Sequence, residues 1–337
     1  MQRLTVPVLL LLLLALIMGL AWFEVIDLYT QTIILFMGIN IIISSSLNLV
    51  NGNMGEFSCG HAGFIAVGAY VSSVLSVALF TQSRAFGAPL LGPEMAVYGF
   101  PLVLIGGGLA AACCGLLVAI PSFRTRDDYL AIITIAANYI IITTVINIDS
   151  IGGARGLMGM KRVVMAMENS AAIPWMLFWV FVFMVLCVQI IRRYMSSTYG
   201  KGVEAIRQDE VAAEIMSVNT NRIKLITFML SSGLAGISGG LYAHVVGYVN
   251  PKSFDLLKST EALVMVYLGG MGSLSGAVIS AIVFTLLLEL LRPLQIIKWV
   301  VIPLLLIIIM QFRPEGIMGH RELGDIFPKL KKFYRFK

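Results

Sequence analysis

The stretch NGNMGEFSCGHAGFIAVGAY, residues 51–70, decides the fold because it separates two apolar runs that are each long enough to lie in a membrane. It carries Glu56, His61 and five glycines. Around it, 58% of the 337 residues are hydrophobic and only 12% are charged, a balance far more apolar than that of a soluble domain. The charges also cluster between the apolar runs instead of covering a surface. The composition therefore indicates a polytopic membrane protein.

Apolar runs of about 20 residues recur along the chain and predict an all-α membrane protein with about ten transmembrane segments, and no fewer than eight. The eighth run, STEALVMVYLGGMG, is short, and its glycines predict a tilted crossing or a helix broken at Gly269, Gly270 and Gly272. The predicted segments cover residues 4–23, 30–50, 62–80, 98–122, 129–148, 173–191, 223–248, 258–272, 274–291 and 295–312.

Positive charge predicts the orientation of these segments. Ten crossings that begin in the cytosol place sixteen of the 24 Lys and Arg residues on the cytosolic side, so the positive-inside rule makes both termini cytosolic. The other eight lie on the opposite side, and the loop 149–172, with three of them, departs most from the rule. We expect one transmembrane domain over residues 1–312, containing a cytosolic loop at 192–222, and then a basic cytosolic tail over residues 313–337.

The cytosolic loop contains YGKGVEAIRQDEVAAEIMSVNTNRIK, residues 199–224, which has a short amphipathic pattern. Its apolar residues recur at helical spacing, so one helix is predicted from about Ile206 to Ser217. The NTN that follows offers N-cap side chains for the next span. A helix that rests on lipid headgroups is the alternative, but anionic lipid would repel the carboxylates of this helix, which favours a protein partner.

Three stretches together resemble a known family. GEFSCGHAGFIAVGAY, AIRQDEVAAEIMSVNTNRIKLITFMLSSGLAGISGGLYAH and LVMVYLGGMGSLSGAVISA are similar to signatures of the inner-membrane permeases of branched-chain amino acid ABC transporters, within residues 47–282. The resemblance implies an importer with a second homologous permease subunit, two cytosolic ABC ATPase subunits and an extracytoplasmic solute-binding protein. This chain would be the M-type permease.

The resemblance also implies that the cytosolic loop is the coupling helix that docks on an ATPase subunit. The general EAA-x-x-x-G motif of ABC importers has Glu where this chain has Val211 and Gly where it has Ser217, which leaves the individual contacts open. Small residues in the helix would allow close approach to the ATPase. The candidate coupling residues are Glu210, Val211, Ala212, Ala213, Glu214 and Ser217.

On this topology the first part of residues 51–70 lies at the cytosolic ends of the second and third spans. We call residues 51–70 the opening stretch. Flexible backbone there is tolerated only against protein or water, so ionisable groups beside it are candidates for the border of a route through the membrane. The alternative is that His61 bonds a neighbouring carbonyl and that Glu56 caps a helix or meets interfacial water. NMGEFSCG also echoes GMGSLSG, residues 270–276, as an internal repeat would. The candidate path residues are Glu56, Gly60, His61, Gly269, Gly270 and Gly272.

No catalytic, cofactor-binding or metal-binding residues are expected. The chain lacks a GxxxxGK[ST] phosphate loop, so ATP would be used by partner subunits. The expected function is a permease subunit of an inner (plasma) membrane ABC importer for branched-chain or related amino acids. The alternatives are a permease for another small solute, such as urea, short amides or aromatic acids, and an ion-coupled secondary transporter. Membrane lipid is an expected partner and nucleic acid is not.

Overall fold

A computed structural model of the chain describes residues 5–82, 87–123, 129–170, 173–312, 315–319 and 322. All ten predicted apolar segments are helical, and three further helices lie between them. Most of the predicted basic tail lies outside the described residues. The helices are α1 (Thr5–Trp22), α2 (Leu28–Asn48), α3 (His61–Phe80), α4 (Ala96–Ser122), α5 (Tyr129–Ile146), α6 (Met160–Ser170), α7 (Trp175–Ser196), α8 (Thr198–Gln208), α9 (Glu210–Ile215), α10 (Thr220–Val246), α11 (Leu256–Gly269), α12 (Leu274–Leu290) and α13 (Lys298–Phe312).

Short irregular elements connect the helices. A π-helical turn, Leu49–Met54, extends α2, and 3-10 turns cover Pro93–Met95, Asp149–Ile151, Gly153–Arg155, Pro251–Phe254 and Arg292–Ile297. Two strands, β1 (Leu157–Met158) and β2 (Tyr248–Val249), pair antiparallel with Leu157 opposite Val249. The thirteen described helices, beside one pair of two-residue strands, confirm the all-α membrane class that the sequence predicts.

Within the part of the chain that the structure describes, six helical segments are long and apolar enough to cross a membrane by themselves. The break between α11 and α12 agrees with the predicted glycine break. At 14 residues, α11 spans only about 21 Å along its axis, less than the thickness of a bilayer core. The six spans are Leu28–Met54, His61–Phe80, Pro93–Ser122, Tyr129–Ile146, Trp175–Ser196 and Thr220–Val246.

Helix α10 lies at the centre of the bundle, where it packs along α3, α4 and α2. Small residues make this close packing possible. A Cβ added to Gly68 of α3 would overlap the carbonyl oxygen of Gly236 in α10, so the two backbones touch there. Close backbone approach through small residues is how helices associate in lipid, where apolar surface gives no driving force between helices.

Residues 149–170, in the loop whose basic residues depart from the charge rule, are folded over one end of the bundle. Its helix α6 buries Met160, Val163 and Met167, which are fully enclosed and lie on one face at helical spacing. The strand pair β1–β2 holds the start of α6 beside the end of α10. This loop is therefore part of the core of the protein at that end.

Candidate functional site

The two glycine-rich stretches that echo each other in sequence meet at one end of the bundle. Asn48, the last residue of α2, accepts a hydrogen bond from the backbone N–H of Gly272 at 3.0 Å through its Oδ1. The Nδ2 of the same side chain donates to the carbonyl oxygen of Ser273, also at 3.0 Å. One amide side chain therefore pairs two backbone groups of the α11–α12 turn. The end of α2 is fixed to the break between those helices.

Glycine is required where these stretches meet. A Cβ added to Gly52 would overlap both the Asn48 side chain and the backbone nitrogen of Gly272. Gly272 itself has a φ of +85° and Gly270 a φ of +107°, a region that side chains rarely adopt. We call this contact, formed by Asn48, Gly52 and the turn 270–273, the glycine junction.

A segment that follows α13 closes the other side of the glycine junction. The backbone N–H groups of Ile317 and Met318 donate to the carbonyl oxygens of Leu268 and Gly269, at 2.8 and 3.1 Å. The carboxylate of Glu322 accepts from the N–H of Leu274 at 2.8 Å. These bonds satisfy backbone groups at the end of α11 and the start of α12 that a broken helix would otherwise leave unpaired.

The candidate path residues are brought to this end of the bundle, but His61 is enclosed by the chain itself. Its side chain is only 3% exposed, and its Nε2 lies 2.9 Å from the hydroxyl of Ser46 in α2. A Cβ at Gly60 would overlap the carbonyl oxygen of Thr134 in α5, and one at Gly269 would lie 2.5 Å from the carbonyl oxygen of Gly276. In this chain these residues pack helix ends against each other.

Glu56 takes part in an ion pair that the sequence did not predict. The Nζ of Lys224, near the start of α10, lies 2.7 Å from Oε1 of Glu56 and 2.7 Å from Oε1 of Glu210 in α9. The lysine side chain is only 9% exposed, and its Nζ lies over the ring of Phe123 at 5.8 Å from the centroid. We call Glu56, Lys224 and Glu210 the ion triad. It joins the opening stretch to the cytosolic loop.

The loop contains two helices, so the prediction of one continuous helix from Ile206 to Ser217 is wrong. Asp209 has extended backbone, with φ −163° and ψ 114°, and ends α8. Its carboxylate accepts a hydrogen bond from the N–H of Ala212 at 3.0 Å, which makes it the N-cap of α9. The amphipathic pattern continues through Asp209, but the N-cap at this residue divides the segment into two helices. Asn219 caps α10, as predicted, by accepting from the N–H of Arg222 at 3.0 Å.

Helix α9 presents an apolar surface to solvent. Val211 is 66% exposed, and Ile215 and Met216 are each 78% exposed. We call these three residues the α9 apolar face. The carboxylate of Glu214 accepts a hydrogen bond from the hydroxyl of Thr220 at 2.8 Å, which joins the end of α9 to the start of α10. Ser217, with a φ of +64°, forms the turn that leads into α10.

Ala213 does not share the exposed surface of α9. Its side chain is only 4% exposed and packs inside this chain, whereas Ala212 is exposed. A bulky residue at position 213 would therefore disturb the loop before it met any partner. Of the six candidate coupling residues, five lie at the surface and Ala213 is enclosed. The five are Glu210, Val211, Ala212, Glu214 and Ser217.

A cavity of about 990 Å³ lies at the opposite end of the bundle. It is bordered by the folded loop that carries α6 and by the ends of α3 and α10. Two of its lining residues, Lys161 and Arg162, are among the basic residues that depart from the charge rule, and both are exposed. This end therefore offers a basic concave surface.

Sequence reasoning missed Asn48 and Lys224. Both have signals that can be recognised afterwards: Asn48 is an amide inside an apolar run, and Lys224 is a charge within the first turns of a membrane helix. Polar side chains placed there require partners, because burial of an unpaired polar or charged group costs free energy. The sequence does not identify those partners, which come from residues far along the chain.

Comparisons with known proteins give independent information on the same residues. Residues 29–310 match the family model for the permease component of branched-chain amino acid transport systems. The chain is 30% identical over 327 residues to LivM, a high-affinity branched-chain amino acid transport permease of Escherichia coli K12, covering 90% of this chain and 73% of that protein. It is 26% identical over 300 residues to LivH of the same organism, covering 85% and 92%.

A more distant relative is the probable branched-chain amino acid transport permease LivM of Methanocaldococcus jannaschii, at 23% identity over 334 residues. That alignment covers 89% of this chain and 95% of the relative. No solved structure matches the chain. The relatives are thus matched over nearly the whole of this chain, including the glycine junction and the loop.

Proposed function

This chain belongs to the family of permease components of branched-chain amino acid transport systems, and on that premise we propose that it forms half of the translocation path of an ABC importer. The proposed solutes are branched-chain or related amino acids, as in the names of the relatives. The subunit itself moves solute across the inner membrane. Separate subunits bind and hydrolyse ATP.

The α9 apolar face is the observation that carries this proposal. A membrane protein gains nothing by exposing Val211, Ile215 and Met216 to water at the polar end of its bundle, because burial of apolar area is favourable. An exposed apolar patch on a structured loop marks an interaction site. The patch is small and lies on one short helix, a shape that fits a cleft in a protein partner. We assign this partner as an ATPase subunit.

The remaining partners follow from the same architecture. A second homologous permease subunit would complete the path, and two ATPase subunits would dock on the α9 apolar faces of the pair. A solute-binding protein would approach the opposite end, where Lys161 and Arg162 border the cavity. Membrane lipid surrounds the spans. ATPase docking and binding-protein delivery distinguish this proposal from an ion-coupled secondary transporter.

The proposed orientation places the loop 192–222 and both termini in the cytosol. Residues 1–312 would form the single transmembrane domain and residues 313–337 the cytosolic tail. Support comes from the charge distribution and from the common location of the glycine junction, the ion triad and α9 at one end. A cysteine at Ser217, which is exposed, is expected to react with a membrane-impermeant maleimide only in inverted vesicles. One at Ser253 should react in intact cells, and the reverse pattern would contradict the orientation.

For the six candidate path residues we propose a role at the border of the route. Glu56, Gly60, His61, Gly269, Gly270 and Gly272 hold the ends of α2, α3, α11 and α12 together, and they shape the path by setting where those ends lie. The enclosed His61 and the paired Glu56 support this over direct contact with solute. The proposal involves no proton carried through the span.

The experiment that tests the function is uptake by proteoliposomes that contain the whole complex. Uptake of radiolabelled leucine is expected only when ATP is inside with the ATPase subunits and the binding protein is on the other side. Competition with isoleucine and valine, and with urea, acetamide and phenylalanine, identifies the solute class. Uptake driven by an ion gradient from this chain alone would contradict the proposal, and competition only by urea or acetamide would reassign the solute.

A further inference from the structure

We propose that Lys224 is a positioning residue that transmits movement of α9 to the glycine-rich entry of α3, through Glu210 on one side and Glu56 on the other. The inference rests on the proposed function, since it assumes that an ATPase moves α9. It goes further by identifying a link inside the permease through which ATP hydrolysis is coupled to solute movement.

The first support is that one ammonium group contacts two segments that have no helical connection with each other. The Nζ of Lys224 lies 2.7 Å from a carboxylate oxygen of Glu210 and 2.7 Å from one of Glu56. The lysine is carried by the second turn of α10, the central helix of the bundle. The ion triad therefore spans the loop, the bundle core and the opening stretch.

The second support is that both carboxylates lie on short segments bounded by breaks in the helical backbone. Helix α9 has six residues, with extended Asp209 before it and Ser217 at φ +64° after it. The segment 55–60 begins at Gly55, where φ is +80°, and leads into α3 at His61. Hinges in proteins are typically a few residues in loops or at the ends of helices, and the breaks beside both segments are of this kind. The ion triad links two such units.

The third support is the environment of the link. The side chain of Lys224 is 9% exposed, that of Glu56 is 22% exposed and that of Glu210 is 46% exposed, so water competes less for the pair with Glu56 than for the pair with Glu210. Loss of one partner from a largely buried pair is costly, because the other charge is left without compensation. Without the ammonium group, two carboxylates would face each other and repel. The charged contact between α9 and segment 55–60 would then be lost, whereas the packing of α8 against the turn that follows α2 would remain.

The test measures coupling in the reconstituted complex, as the number of ATP molecules hydrolysed per solute taken up. Lys224→Met is expected to keep the ATPase subunits bound and hydrolysing, while uptake falls so that the ATP-to-solute ratio rises by about five- to tenfold, as for mutations that change coupling between sites. Lys224→Arg keeps a cation against both carboxylates and is expected to retain the wild-type ATP-to-solute ratio. Lys201→Met removes an exposed lysine of α8 and is the matched control.

Glu210→Gln provides a second variant that keeps Lys224 paired with Glu56, so that α10 retains a compensated charge. It should also raise the ATP-to-solute ratio. If the Lys224→Met protein fails to accumulate, the ratio measured with Glu210→Gln tests the inference. A wild-type ratio in Glu210→Gln and in any Lys224→Met complex that assembles would overturn the inference. Wild-type complexes that show no ATP-driven uptake would instead reject the proposed function, so the two failures are distinguishable.

Discussion

Ile215→Asp is expected to release the ATPase subunits from the complex while the chain still inserts in the membrane. Ile215 is 78% exposed, so the new carboxylate stays hydrated in the isolated chain and does not disturb its fold. In a docked complex the same carboxylate would be buried against an apolar cleft without a partner. Such burial costs about 3 kcal/mol or more, which corresponds to roughly a hundredfold loss of affinity.

The measurement is co-purification of the ATPase subunits with the tagged permease, together with leucine uptake. Asn221→Asp is the matched control, because it adds one carboxylate at an exposed position in the first turn of α10, where negative charge is favourable. It should leave both readouts near wild type. Normal ATPase recovery with Ile215→Asp would show that α9 is not the docking surface.

Gly52→Val is expected to disrupt the glycine junction and so to abolish accumulation of a stable, active permease. A Cβ at this position overlaps Asn48 Oδ1 and the backbone nitrogen of Gly272, and the backbone atom cannot rotate away. Overpacking of a close-packed site typically costs about 1 to 3 kcal/mol. Here Asn48 must also give up its two hydrogen bonds to the α11–α12 turn, which adds to the loss.

Thermal unfolding in detergent, followed by size-exclusion fluorescence, measures this effect. Gly92→Val is the control, because no described atom lies within 4 Å of a Cβ there and its backbone suits valine. Asn48→Ala removes the hydrogen bonds without adding bulk and should destabilise less than Gly52→Val. The account of the junction fails if Gly52→Val and Gly92→Val unfold at the same temperature.

The fold was largely predictable because hydrophobic length is a local property of the sequence. All ten predicted segments are helical. The glycines at the end of the eighth segment do interrupt the helix, since Gly269, Gly270 and Gly272 favour helix poorly. The N-cap at Asn219 was also predictable from residue type. These features depend on residues close together in sequence.

The interior of the loop was less predictable because local signals competed. An amphipathic pattern that runs through Asp209 favours one helix, whereas the side chain of Asp209 favours a cap, and the structure has the cap. The burial of Ala213 depends on how the loop folds against its own chain. The position of Ala212 and Ala213 in the coupling motif therefore did not identify which of the two alanines is exposed to a partner.

The contacts of the candidate path residues were not predictable, because they join distant parts of the chain. His61 meets a hydroxyl of α2, and Glu56 meets a lysine 168 residues later. The echo between the two glycine-rich stretches was visible in sequence, but their contact through Asn48 was not. A polar residue within an apolar run indicates that it has a polar partner, but only the tertiary structure identifies that partner.

Site-specific cross-linking tests the central claim most directly, that this chain is a permease driven by an ATPase docked on α9. A photoreactive benzoylphenylalanine at Met216 in the assembled complex is expected to form a covalent adduct with the ATPase subunit. The same group at Tyr98, which is highly exposed near the start of α4, should form none. Adducts at position 216 with lipid alone, in complexes that still contain the ATPase, would contradict the account and make α9 a helix that rests on the membrane.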